Sequence, residues 1–198
     1  IFGSKFLYPD ETIQHAGVVF SKNCLTPYHL FRGAPGDLHA ANARREYQVV
    51  TAACMLIRRE EFEAVGGFDE IYQNGFEDVD LCLKVGKRGK QIIYQPRSVL
   101  YHLEHQTPGR KDPEVERHNG KVLMERWASS IVIDEDLYTV PEGYANRYYF
   151  RDGWLRQSLE PFRDEAERLQ WEKVRRVQEL LLRKLKHQGQ LSVGDQSE

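Results

Sequence analysis

One stretch, GFEDVDLCLK at residues 75–84, carries most of the information about how this chain folds and works. Three carboxylates stand within four positions, and apolar residues then recur at helical spacing, which predicts a helix over residues 79–87. Two interpretations of the carboxylates stay open. Asp78 can cap the helix as its N-cap, with Asp80 favoured in the first turn. Alternatively, a carboxylate here serves as a general base at an open end of a sheet.

The surrounding sequence predicts an α/β chain with a mixed sheet. Residues 5–8 and 17–20 read as two strands of a hairpin around the polar turn 9–11. Residues 49–57 form the most apolar run and predict a buried strand. A short helix over 58–65 ends at two glycines, and two short strands, 92–94 and 98–101, flank Pro96. Residues 103–119 are polar and predict a flexible segment before a helix that begins at Gly120.

Composition excludes several classes of protein. The 198 residues include 28 Lys and Arg against 30 Asp and Glu, a net charge of −2 that argues against nucleic-acid binding through a general basic surface. No run approaches the ~18 apolar residues of a membrane helix, and no secretory signal is recognisable. Three scattered cysteines indicate free thiols in a reducing compartment. We therefore expect a cytoplasmic protein that is at most peripheral to the membrane.

Two further motifs bear on a metal site. His102 follows a strand; such a histidine is either an ordinary polar terminus or a metal ligand that needs carboxylate partners. The triplet Asp134-Glu135-Asp136 follows the apolar residues 131–133, and we interpret it as a surface turn.

The order of these motifs along the chain is more specific than any one of them. RREEF at 58–62, VGGFDE at 65–70, the stretch 75–84 and Tyr101-His102 together resemble the acceptor-side half of family 2 glycosyltransferases, inverting enzymes with the GT-A fold. LYPDETIQHAGVV at 7–19 is similar to the segment that precedes the acceptor loop in that family. The resemblance covers roughly residues 1–140. It implies a partial GT-A mixed sheet with flanking helices and a C-terminal helical tail.

The resemblance also implies roles for individual residues. Asp78 matches the catalytic base that deprotonates the acceptor hydroxyl, and Glu77 would help to hold the acceptor. Gly67, Phe68 and Asp69 match the loop that shapes the acceptor pocket. His102 matches a ligand of a divalent cation, Mn²⁺ or Mg²⁺, which we expect in a full-length enzyme but not tightly bound to this chain. The implied partners are a nucleotide-sugar donor and a glycan or other hydroxyl acceptor.

The chain departs from the family pattern because the nucleotide-binding half, with its own Asp-x-Asp motif, is absent. We therefore expect the C-terminal part of a longer transferase, inactive alone. The alternative is a non-catalytic remnant that binds a carbohydrate or a partner protein. A metal-dependent hydrolase using His15 and His102 would leave the motif at 65–69 unexplained.

Three regions are expected along the chain: an acceptor-side half at 1–140, an aromatic-rich linker at 141–158, and an amphipathic helical tail with a disordered end at 159–198. The tail carries an apolar stripe suited to docking or to self-association, and its members are Phe162, Ala166, Leu169, Val174, Val177, Leu181 and Leu185.

Overall fold

A computed structural model describes residues 1–103, 112–151 and 154–194, with side chains for all of these except 154–156 and 185–194. The strands are β1 (Phe2–Leu7), β2 (Ile13–His15), β3 (Val18–Phe20), β4 (Pro27–His29), β5 (Arg45–Tyr47), β6 (Met55–Leu56), β7 (Ile92–Tyr101), β8 (Tyr144–Arg151) and β9 (Trp154–Pro161). The helices are α1 (Arg59–Ala64), α2 (Glu77–Lys87), α3 (Pro113–Trp127), α4 (Glu135–Thr139) and α5 (Glu165–Gly194).

The main sheet is mixed and has five strands among the described residues. Its order is β2-β1-β7-β5, and β6 also pairs with β1. β1 and β7 run parallel, whereas the other pairs are antiparallel. Helix α2 buries the side chains of Val79, Leu81, Cys82 and Val85, so the helical spacing of its apolar residues is confirmed. The architecture confirms the predicted α/β class and is consistent with a partial GT-A-like fold.

The N-terminal hairpin differs from the prediction in its second strand. β1 pairs with β2, with Leu7 opposite Ile13, and the Asp10 carboxylate accepts a hydrogen bond from the Thr12 backbone N–H at 3.0 Å. β3 pairs instead with β4, in a separate two-stranded sheet. Gly17 separates β2 from β3 at φ +107°, a conformation that L side chains rarely adopt, and this break moves the chain from one sheet to the other.

The predicted buried strand at 49–57 is wrong for most of its length. Val49 and Val50 are fully buried, but a 3₁₀ turn follows at Ala52–Cys54, and Leu56 is 70% exposed. The turn forms because two side chains compete for the backbone. The Asp78 Oδ2 atom accepts from the Ala52 N–H at 3.0 Å, and the Thr51 hydroxyl accepts from the Ala53 N–H.

The two strands predicted around Pro96 are one strand, β7. Its register with β1 shifts between Ser4 and Lys5, whose partners are Gln95 and Val99. The extra residues of β7 at this shift include Pro96, which has no N–H to donate to a neighbouring strand. The irregularity therefore lets the strand continue past the proline.

Helix α3 begins seven residues earlier than predicted, at Pro113. The Asp112 carboxylate accepts from the Glu114 N–H at 2.9 Å, and proline at the first helical position suits a helix start. Of the segment predicted as flexible, residues 104–111 lie outside the described residues, while 113–119 are helical.

The C-terminal region packs against the domain through an unexpected side of α5. The hairpin of β8 and β9 occupies most of the segment expected as a linker. Helix α5 buries Gln178, whereas Leu169, Val177 and Leu181 of the predicted apolar stripe are 50%, 57% and 48% exposed. Leu185 and the expected disordered end lie outside the described side chains. No described helix has the length and apolar character needed to cross a bilayer.

Candidate active site

An open cleft of about 680 Å³ lies where the start of α2 meets the ends of β2 and β7 and the first turns of α3. It brings together three of the predicted site residues, Glu77, Asp78 and His102, although His102 is distant from the others in sequence. The described lining residues are Phe6, Gln14, Val18, Pro27, His29, Thr51, Ala53, Asn74, Gly75, Phe76, Glu77, Asp78, Val79, His102, Asp112, Pro113, Val115, Glu116 and Asn119.

Asp78 lies one residue inside helix α2 and is not its N-cap. The N-cap is Phe76, in a left-handed conformation with φ 71°. The capping interpretation is therefore wrong in position, although Asp78 does bond to backbone groups. Its Oδ2 atom accepts from the Ala52 N–H at 3.0 Å, and its Oδ1 atom lies 2.9 Å from the Val79 nitrogen. These donors fix the orientation of the carboxylate at the wall of the cleft.

Glu77 presents a carboxylate oxygen that is not satisfied within the described part of the chain. Its Oε2 atom is shielded from solvent and has no hydrogen-bond partner among the described residues. A buried carboxylate oxygen without a donor is costly, because it has lost its hydration without replacement. Glu77 is therefore a cleft residue with one acceptor atom unsatisfied among the described residues.

His102 is held by a two-point contact with Gln14. The Nδ1 atom of His102 lies 2.6 Å from the Gln14 Oε1 atom, and Gln14 Nε2 donates to the His102 carbonyl at 2.8 Å. Because an amide oxygen only accepts, Nδ1 is the donor in this contact, and Nε2 is the ring nitrogen that remains for another partner. A hydrogen bond of this kind to one ring nitrogen orients a histidine to bind a metal through the other.

Residues that belong to no sequence motif also surround His102. His29 and the Phe6 ring both line the cleft. His15 lies beneath them, fully buried, with its Nδ1 atom 3.2 Å from Nδ1 of His29. Burial and the neighbouring His29 lower the pKa of His15 well below 6.5, so this ring is neutral. The buried, short strands β2 and β3 carried no alternating pattern that would have indicated which side chains face the cleft.

Gly67, Phe68 and Asp69 are not among the residues that line the cleft. Gly67 follows helix α1 at φ +66°, and the Phe68 ring packs on Phe62 with centroids 5.4 Å apart. Asp69 binds Arg126 at 2.7 Å, a contact that lowers the pKa of its carboxyl group. Their role in shaping the acceptor pocket stays a prediction.

The triplet Asp134-Glu135-Asp136 is fully buried, so its interpretation as a surface turn is wrong. Asp134 Oδ1 accepts from the Phe20 N–H at 2.8 Å, and burial raises the pKa of this carboxyl group to about 7. Further donors to the three carboxylates are Lys22, Tyr28, Gln48, Asn146, Tyr148 and Gln178. Because its partners come from distant parts of the sequence, the cluster joins the N-terminal strands to β8 and α5.

The described residues supply only part of a binding site for a divalent cation. Across residues 1–103, 112–151 and 154–194, no group of three or more histidine, cysteine or carboxylate side chains is placed to hold a metal ion. His102 can contribute one ligand through Nε2. One nitrogen is a poor site for a hard cation such as Mg²⁺, which prefers several oxygen ligands.

Sequence comparison provides relatives with named functions. The chain is 42% identical over 122 residues to the uncharacterized protein y4gI of Sinorhizobium fredii, a match that covers 58% of this chain and 13% of y4gI. It is 35% identical over 106 residues to the O-antigen biosynthesis protein RfbC of Myxococcus xanthus, covering 52% of this chain and 8% of RfbC. The chain is also 46% identical over 59 residues to N-acetylglucosaminyl-diphospho-decaprenol L-rhamnosyltransferase of Mycobacterium tuberculosis. This match covers 29% of this chain and 19% of the rhamnosyltransferase.

The matches cover less than a fifth of the length of each of these relatives. No protein-family model and no solved structure matches the chain. Rhamnosyltransferase WbbL of Escherichia coli also matches, at 39% identity over 51 residues, which are 26% of this chain and 19% of WbbL. The chain therefore contains a region homologous to bacterial glycosyltransferases, as the order of its motifs predicted, and this region is consistent with a family 2 enzyme.

Proposed function

We propose that this chain forms the acceptor side of an inverting, family 2-type sugar-transfer site, in which Asp78 is the general base. The main support is that Glu77, Asp78 and His102 line one cleft. His102 is distant from the other two in sequence, so the fold brings these residues together. The relatives named as glycosyltransferases support sugar transfer independently.

In the proposed reaction, the oxygen of an acceptor hydroxyl attacks the anomeric carbon of a nucleotide-diphospho-sugar. The Asp78 carboxylate takes the hydroxyl proton as the new glycosidic bond forms. The bond between the anomeric carbon and the diphosphate oxygen breaks, and the nucleoside diphosphate leaves with the electron pair. Attack from the face opposite the leaving group inverts the anomeric configuration.

Glu77 positions the acceptor in this scheme. Its carboxylate, at the lining of the cleft, accepts a hydrogen bond from a second acceptor hydroxyl. The bond orients the attacking oxygen toward Asp78, and such orientation is a large part of catalysis.

The charge of the cleft favours a neutral acceptor. Its described lining includes the carboxylates of Glu77, Asp78, Asp112 and Glu116, and none of the described lining residues is lysine or arginine. An anionic acceptor would be repelled by these carboxylates, whereas sugar hydroxyls can donate hydrogen bonds to them. The proposed acceptor is therefore an uncharged sugar or another polyol.

Because the cleft is acidic, a cation would also be needed to bind the negatively charged nucleotide-sugar donor. When bound, Mn²⁺ or Mg²⁺ would supply charge neutralisation for the leaving diphosphate. His102 would hold the cation through Nε2, with Gln14 fixing the ring. Further ligands and the nucleotide contacts are proposed to lie outside this chain, which alone would transfer no sugar.

The test is Asp78→Asn in the complete open reading frame that contains this chain, assayed by release of nucleoside diphosphate from a panel of nucleotide sugars. Loss of the base should reduce turnover by about 10²-fold or more. Donor affinity should stay nearly constant, because Asp78 acts on the acceptor. Asn retains an oxygen for the Ala52 N–H but has none left for the Val79 N–H, so the melting temperature should fall slightly and is measured alongside turnover.

The matched control is Asp37→Asn, which changes an exposed aspartate outside the cleft. It should keep wild-type turnover. An Asp78→Asn enzyme with more than half of wild-type turnover would refute the base assignment. Glycan binding without transfer from any donor would support the alternative, a non-catalytic binding module.

A further inference from the structure

The loop that leads into Glu77 and Asp78 has an unusual backbone. Asn74 and Phe76 both have positive φ values, 54° and 71°, and Gly75 between them has φ 154°. Left-handed backbone costs a residue such as phenylalanine of the order of 1 kcal/mol, so other contacts must maintain it. Helix α2 begins directly after this loop, and the loop conformation therefore sets where Asp78 lies.

Asn119 of α3 supplies those contacts. Its side chain is 1% exposed, and its Nδ2 atom donates to the carbonyls of Gln73 at 2.8 Å and Gly75 at 2.9 Å. Its Oδ1 atom accepts from the Gln73 N–H at 3.3 Å. One amide group thus binds both sides of the left-handed Asn74.

Helix α3 gives this clamp a fixed base. Trp127, at the other end of the helix, donates from Nε1 to Asp80 of α2 at 2.7 Å, and both side chains are buried. Helix α3 therefore makes two contacts: Asn119 binds the loop that precedes α2, and Trp127 binds α2 itself. A shift of Asn119 relative to α2 would break one of these two contacts.

We propose that Asn119 is a positioning residue for the transfer reaction: it holds the loop 73–76 in its left-handed conformation and so keeps Asp78 directed at the acceptor hydroxyl. This inference rests on the proposed function. It goes beyond it by assigning a catalytic effect to a residue whose side-chain hydrogen bonds all go to backbone groups of the loop.

The amide is specific for this task. Aspartate at position 119 would keep an acceptor for the Gln73 N–H but lose both donors, and its charge would face two carbonyl oxygens. Alanine would lose all three bonds and leave the carbonyls of Gln73 and Gly75 without this donor. Both variants should release the loop toward ordinary backbone conformations.

The experiment compares Asn119→Ala and Asn119→Asp with wild type in the complete open reading frame, by steady-state kinetics and amide hydrogen exchange. We expect turnover to fall about 10- to 100-fold, the effect of a displacement near 1 Å, with acceptor KM changed less than about threefold. Exchange should accelerate at residues 74–78 and remain slow in the rest of α2 and α3. His118→Ala, an exposed neighbour on α3, is the control and should match wild type.

Each outcome bears on the proposal. Unchanged turnover or unchanged exchange at residues 74–78 in both variants would overturn it, as would a loss confined to KM. If Asn119→Ala does not fold, Asn119→Asp, which preserves side-chain volume, decides between these outcomes. If wild type transfers no sugar from any donor, the proposed function fails, while the exchange data still decide whether Asn119 holds the loop.

Discussion

Replacing Trp127 with phenylalanine removes one buried hydrogen bond from the contact between α2 and α3. Trp127 Nε1 donates to Asp80 Oδ1 at 2.7 Å, the shortest contact to that oxygen. The Tyr72 hydroxyl lies 3.3 Å from the same atom and Arg126 Nη1 lies 3.6 Å from it. The other oxygen, Oδ2, lies 2.7 Å from Lys84 Nζ. The aspartate therefore keeps its counter-charges in the variant but loses its closest donor.

The expected cost follows from these contacts. A hydrogen bond to a charged group contributes about 1.5–3 kcal/mol, and the smaller phenyl ring adds up to about 1 kcal/mol of lost packing. The free energy of unfolding should therefore fall by about 3 kcal/mol. For a chain of this length that corresponds to a decrease of roughly 6–12 °C in Tm.

The assay is urea unfolding followed by far-UV circular dichroism, which does not depend on tryptophan emission. Trp171→Phe is the matched control, because Trp171 is half-buried and contacts Lys22 through its ring face, which phenylalanine retains. It should cost less than about 1 kcal/mol. Equal losses for the two variants would show that Trp127 stabilises the protein by packing alone and would refute the reasoning.

Three further predictions concern the fold, its pH dependence and its association. Gly17→Ala should destabilise the protein by more than about 2 kcal/mol in thermal unfolding, because the new Cβ would lie 2.4 Å from the Tyr47 ring at an unfavourable φ. Burial raises the pKa of the Asp134 carboxyl group from 3.8 to about 7, so the folded state binds the carboxyl proton more tightly than the unfolded state does. The stability that this proton contributes is full below pH 4 and is lost as pH rises through 7. Asp134→Asn should flatten that part of a plot of urea midpoint against pH. Self-association through α5 stays a prediction: Val177→Lys with Leu181→Lys should make sedimentation independent of concentration, and a wild-type chain that is already monomeric would contradict it.

Local patterns in the sequence predicted the local structure well. Helices α1 and α2 were found because their apolar spacing and terminal glycines act over a few residues. The apolar run at 49–57 misled, because periodicity does not distinguish a continuous buried strand from a short buried segment followed by a turn. What stops that strand is the Asp78 carboxylate, 26 residues away along the chain from the backbone N–H it accepts from.

The candidate site was predictable only where a family motif marked it. Glu77, Asp78 and His102 were identified in this way, but Gln14, His29 and Asn119 were not, because their importance depends on contacts between distant segments. The prediction of a surface turn at 134–136 was wrong for the same reason. Three adjacent carboxylates normally predict a solvated turn. Their burial depends on hydrogen-bond donors from residues 20, 48 and 178, which are too distant in sequence to be recognised as partners.

The buried triplet also determines where this chain can be shortened. Asp136 depends on Gln178 of α5 and on Asn146 of β8 for its hydrogen bonds. A chain that ended before residue 144 would lose both donors together with β8 and α5, and of the described partners only Lys22, 3.7 Å away, would still pair with the Asp136 carboxylate. Exchange of C-terminal segments between relatives therefore requires that the carboxylates and their donors be transferred as one unit, even though more than forty residues separate them.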